Sequence, residues 1–128
     1  MMEEIKGVRV IVCGGRYYAD EAALFAALDA FHAGPLGPIK ALAHGAAKGA
    51  DTLAGKWAEA RGIGRETYPA NWERDGKSAG VRRNERMLLR FRPDRVIAFP
   101  GGVGTADMVR RAKEDGVPVT TVATPLPQ

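Results

Sequence analysis

The chain reads as an α/β fold, a three-layer sandwich of about five parallel strands with helices on both faces. Three observations point there. Short apolar runs alternate with segments of helical periodicity, and the order closes on a strand. The runs are almost continuously apolar, as in strands buried on both faces. Glycine-rich turns follow the first, second and fourth runs, where an open parallel sheet places its ligand, beyond the carboxyl ends of the strands.

Val8 to Cys13 is the first run and ends at Gly14-Gly15. A helix opened by Ala19 or Asp20 carries Leu24, Phe25, Leu28 and Phe31 at helical spacing. Gly34-Pro35-Leu36-Gly37-Pro38 breaks it. Ile39 to Ala43 is the second strand, leading to His44-Gly45. The second helix runs from about Ala50 to Arg61, with Leu53 and Trp57 on one face and Gly62 as its stop. Glu66-Thr67-Tyr68 is a weak third strand, and Pro69 to Gly80 reads as the longest loop, holding Trp72. A third helix spans about Val81 to Phe91 and ends before Pro93. Arg95 to Phe99 is the fourth strand, a fourth helix reaches about Asp115, Gly116 stops it, and Val117 to Val122 is the fifth strand. Residues 1–128 read as one domain with a loose tail at 123–128.

Composition narrows the function. At 128 residues, 45% hydrophobic and 27% charged, the chain has an ordinary globular balance. No apolar run approaches the ~18 residues that span a bilayer. Met1-Met2-Glu3-Glu4 lacks the basic-then-apolar order of a signal peptide. A single cysteine, Cys13, forms no internal disulfide and no tetrahedral cysteine zinc site, so no metal is expected. A cytoplasmic protein without a membrane partner is the expectation. The net charge of +4 is one local feature: residues 74–95 hold eight basic and three acidic residues and carry +5, leaving −1 for the rest. An anionic partner near that segment follows.

The sharpest motif is Pro100-Gly101-Gly102-Val103-Gly104-Thr105. Glycines allow positive φ and close approach, successive amides form an anion cradle, and the following helix adds its positive end. A phosphate fits there, with Thr105 donating its hydroxyl. The spacing is neither a P-loop nor, at Gly14-Gly15-Arg16, the three-glycine dinucleotide fingerprint. His44-Gly45-Ala46-Ala47-Lys48-Gly49-Ala50-Asp51 is the second loop. Asp51 falls in a first helical turn, as a cap or as a partner for a ribose hydroxyl. His44 reads as a structural or ligand-contact residue before a catalytic base. Arg16 points into the same crevice or into solvent, and Cys13 is a small buried apolar residue. On the third helix Asn84, Met87, Leu88 and Phe91 share one side, and Arg82, Arg86 and Arg90 the other. Arg83, near the border, and Asn84 are the better ligand contacts, and Trp72 either stacks on a base or anchors its loop.

Taken together, these segments resemble the SLOG superfamily. Pro-Gly-Gly-Val-Gly-Thr at 100–105 resembles its motif, shared more distantly with the LONELY GUY phosphoribohydrolases, once misnamed lysine decarboxylases. Val12-Cys13-Gly14-Gly15-Arg16, the 44–51 loop, Ala70-Asn71-Trp72, Gly76-Lys77-Ser78-Ala79-Gly80 and Arg83-Asn84 are similar to the YspA-like, YpsA-related branch. The resemblance covers nearly the whole chain and implies a Rossmann-like domain binding a nucleotide or nucleotide-derived ligand such as AMP, ADP-ribose or an NAD-like molecule. It requires no further cofactor. The phosphoribohydrolase motif continues to a catalytic glutamate, and here that position is Met108. Asp107 lies one residue away, ~100° around the helix, while Thr105, Met108, Val109 and Ala112 form the inward side. Base release from a nucleoside monophosphate would therefore have to recruit Asp107, Asp51 or Glu85, with Arg83 aligning loosely to the family arginine. DNA binding through the 82–95 arginines, as in related DNA-processing proteins, ranks last. The resemblance also implies a homodimer, and Leu89 on the charged side of its helix suits a subunit contact.

Overall fold

In a computed structural model, residues 6–123 are described. Five strands form one sheet: β1 (Val8–Cys13), β2 (Ile39–His44), β3 (Gly64–Thr67), β4 (Arg95–Ala98) and β5 (Val119–Thr121). Their order is β3-β2-β1-β4-β5 and every pairing is parallel. Between them run the helices α1 (Glu21–Ala33), α2 (Ala50–Ala60), α3 (Trp72–Asp75), α4 (Ala79–Phe91) and α5 (Val103–Glu114). The tail expected at 123–128 lies, but for Ala123, outside the described residues.

Alternation along the central strands builds both cores at once. Val10 and Val12 of β1, with Ile97 and Phe99 from β4 and the residue after it, face Leu24, Leu28, Ala54 and Trp57 of α1 and α2. Ile11 and Cys13, with Val96 and Ala98, face Met87, Leu88 and Phe91 of α4 and Met108 and Ala112 of α5. This period of two, buried on both sides, is what the continuous apolar runs encode. Trp57 is fully buried, and its indole N–H donates to Asp29 Oδ1 at 2.8 Å. Asp20 is the cap expected for α1, its Oδ1 accepting from the Ala23 amide at 2.9 Å.

Three boundaries differ from the sequence reading. β3 begins at Gly64 and ends at Thr67, with every residue exposed on the sheet edge, so burial writes no pattern there. The loop from Pro69 is not structureless. Asn71 Oδ1 accepts from the Arg74 amide at 3.0 Å and starts the single turn of α3, which Gly76 closes at φ +55°. A 3-10 turn over 76–78 then leads into α4, two residues earlier than expected. β5 is shorter than expected, at three residues.

Strand order reverses between β1 and β4, since β2 and β3 extend one way and β4 and β5 the other. The turns after β1 and β4 therefore open side by side into one crevice. No helix among the described residues is long and apolar enough to cross a membrane.

Candidate functional site

A cavity of about 710 Å³ lies at that reversal. Its walls are Gly14, Gly15 and Arg16 after β1, Pro100, Gly101, Gly102, Gly104 and Thr105 around the start of α5, and Arg83 and Asn84 of α4. Gly45, Asp51 and Trp72 complete the set of expected residues that meet there. Lys48 lines an adjoining cavity. His44, Gly49 and Asp107 line neither.

The three glycine loops converge, but they spend their amides differently. The Gly15 N–H donates to Pro100 O at 2.9 Å, and the Ala50 N–H donates to Gly15 O at 3.2 Å. In the second loop the Ala46 N–H donates to His44 Nδ1 at 3.0 Å and the Ala47 N–H to Asp51 Oδ2 at 3.2 Å. These amides hold the loops to one another. At α5 no side chain caps the helix start at Gly102, so the first-turn amides stay open toward the cavity, with their share of the helix dipole. The expectation of three amide cradles is thus corrected to one, braced by two loops. A second correction concerns backbone geometry: none of Gly101, Gly102 and Gly104 takes positive φ. Gly101 is glycine because a Cβ would collide with Thr105 Oγ1 and stand 2.6 Å from Gly15 N. Positive φ appears instead at Gly49 (+78°), where a Cβ would also stand 2.6 Å from Arg16 O. Gly49 works by letting the second loop touch the first.

Arg83 and Asn84 form the charged wall. Arg83 Nη1 donates to Gly45 O at 2.6 Å, and its Nε donates to Asn84 Oδ1 at 3.0 Å. Among the described residues its Nη2 has no protein acceptor, which leaves a donor for the cavity. Asn84 is 4% exposed and uses its amide fully. Its Nδ2 donates to Gly104 O at 3.1 Å and to Asp107 Oδ2 at 3.0 Å. One side chain so fixes the guanidinium and ties α4 to the glycine loop. Burial pushes the Arg83 guanidinium below its ordinary value, with the Asp51 charge opposing.

Burial raises the Asp51 carboxyl, against the Ala47 N–H, the Arg83 charge and the Gly45 N–H. It is the one carboxylate lining this cavity. Burial and the charges of Arg65 and Arg83 hold His44 down at about 4, so it is neutral at pH 7 and serves as an acceptor inside the second loop. Burial, with the Asp51 charge, pushes the Cys13 thiol up to about 12, against Arg83, so it is inert at the cavity floor. Asp107 points away from the cavity, as the helix geometry predicts, yet it is not solvated. It accepts from Asn84, Arg110 and Arg111. Burial raises its carboxyl, but those bonds prevail and hold it below the usual carboxylate value. Glu85 accepts from Arg111 at 3.3 Å on the outer side. Met108 is fully buried in the core beneath α5.

Of the outer arginines, Arg82 and Arg90 are exposed, and Arg86 Nη2 donates to Pro69 O at 3.2 Å. Trp72 is 51% exposed at the mouth with the Arg16 guanidinium 5.3 Å from its ring centre. Sequence reasoning missed Tyr17, Lys77, Val81 and Val103 as lining residues. The Lys77 to Gly80 stretch offered a signal, because small residues at a helix start admit a ligand.

Residues 8–74 match the model of the YspA, cpYpsA-related SLOG family. The match takes in β1 through most of α3, and the loop at 100–105 lies beyond it. The Gene 61 protein of Mycobacterium phage D29 is 40% identical over 119 residues, covering 87% of this chain and 93% of that protein. The chain belongs to the YspA, cpYpsA-related SLOG family.

Proposed function

We propose that this domain binds a nucleotide or nucleotide-derived phosphate ligand at the carboxyl ends of its strands. The observation that carries the reading is the uncapped start of α5 facing a cavity that also receives Arg83. An anion at a helix start gains about 0.3–2 kcal/mol, and a guanidinium adds a charge-assisted bond to phosphate. Those terms alone fall short of the ~8 kcal/mol of a micromolar complex, so the rest must come from contact with sugar and base. The apolar part of the wall, Tyr18, Val81, Met87 and Val103, supplies that surface. Isothermal titration of the folded protein with AMP, ADP-ribose and NAD tests the reading. Binding of at least one at micromolar to sub-millimolar concentration is expected, and heat-silent titrations with all three contradict it.

A second reading, release of a base from a nucleoside monophosphate, is favoured by one observation. Asp51 is a buried carboxylate with a raised pKa beside Arg83 in the cavity, where a proton-transferring group would stand. Asp107 and Glu85 do not serve it, since neither lines the cavity. Incubation with AMP and chromatography for free adenine decides: adenine that vanishes in Asp51→Asn supports the reading, and its absence in the wild type removes it.

A further inference from the structure

The cavity does not end at Trp72. A second cavity of about 740 Å³ adjoins it, floored by Ala46 and Lys48 and walled by Pro69 and Ala70. The two share Arg16, Tyr17, Gly45, Ala47, Trp72 and Arg83. The boundary is a gateway: Arg16 from the loop after β1 lies 5.3 Å from the Trp72 ring centre, and Arg83 reaches across from α4 to Gly45 O.

Charge separates the chambers. The first has a single carboxylate, Asp51, opposite the arginines. The second is lined by Arg16, Lys48 and Arg83, with no carboxylate in its wall. Its loop amides give it nothing, since Ala46 and Ala47 donate inward to His44 and Asp51. Its anion-binding power is therefore side-chain charge alone. A mononucleotide seated with its phosphate at α5 leaves those cations unneutralised, and a ligand with a second phosphate-bearing half engages them.

Resting on the nucleotide reading above, we propose that the ligand has two phosphate-bearing halves joined through a pyrophosphate, in the class of ADP-ribose and dinucleoside pyrophosphates. One half occupies the chamber at α5. The pyrophosphate passes the Arg16–Arg83 gateway, where guanidinium groups suit phosphate oxygens. The other half lies against Trp72 and Pro69 within reach of Lys48.

Titration calorimetry with AMP and ADP-ribose as probes tests this. The wild type should bind ADP-ribose at least tenfold more tightly than AMP. Lys48→Ala, at an exposed position, should shrink that ratio at least fivefold. Ala70→Trp, which fills the second chamber, should bring it close to one. Equal affinities in the wild type, or a ratio that neither variant changes, overturn the two-chamber proposal while AMP binding upholds the nucleotide reading. Failure of both probes to bind overturns the two together.

Discussion

Asn84 and His44 sit under the site and never reach its surface chemistry, yet each sets what that surface can do. Asn84 accepts from Arg83 and donates to Gly104 and Asp107. Asn84→Ala strands these buried partners, and each unpaired group costs about 1–3 kcal/mol. Chemical denaturation should show a loss in that range, and AMP affinity measured under folded conditions should fall at least fivefold because Arg83 loses its orientation. A variant of unchanged stability and affinity would contradict this role. His44 gives a pH dependence. Held at about 4 in the fold against an ordinary 6.5, it binds no proton in that interval, while the unfolded chain does. Stability due to His44 is therefore present above the upper value and falls as pH drops through the window. His44→Asn keeps an acceptor for the Ala46 amide and removes the titration. Urea unfolding at pH 7 and pH 4.5 should show a smaller acid loss in the variant; equal losses would refute the assignment.

At the scale of elements, α5 shows why the missing family glutamate cannot simply be restored. Met108 is packed among Cys13, Met87 and Ala98. Met108→Glu would bury a carboxylate without a partner, at a cost of about 3–5 kcal/mol. A melting curve should shift down by many degrees, and no adenine should be released from AMP; a stable variant that releases adenine would contradict both statements. The same helix marks how far the sequence was legible. Periodicity alone placed Met108 and Ala112 inward and turned Asp107 aside, because burial imposes a period that composition records. It could not reveal that Asp107 is claimed by Asn84, Arg110 and Arg111, since those partners become neighbours only when α4 packs on α5. β3 and α3 were blurred for a related reason. An exposed edge strand and a single capped turn bury too little to pattern their residues. The three loops were visible as glycine clusters, but which amides stay open depends on how Gly15, Pro100 and Ala50 pair across the crevice.

For the whole molecule, the reversal of strand order at β1 and β4 fixes where a ligand can enter, and the two helical layers leave that rim uncovered. Leu89 stands 72% exposed on the outer side of α4, and a homodimer pairing there would cover it. Light scattering should then give a dimer mass for the wild type and a monomer mass for Leu89→Arg; a wild-type monomer at high micromolar concentration would refute the pairing. The most direct measurement concerns the start of α5. In a nitrogen-15 spectrum titrated with AMP, the amide signals of Val103, Gly104 and Thr105 should move first and furthest, saturating together with the Arg83 side chain. Saturating AMP that leaves these four signals in place would contradict phosphate binding at this helix.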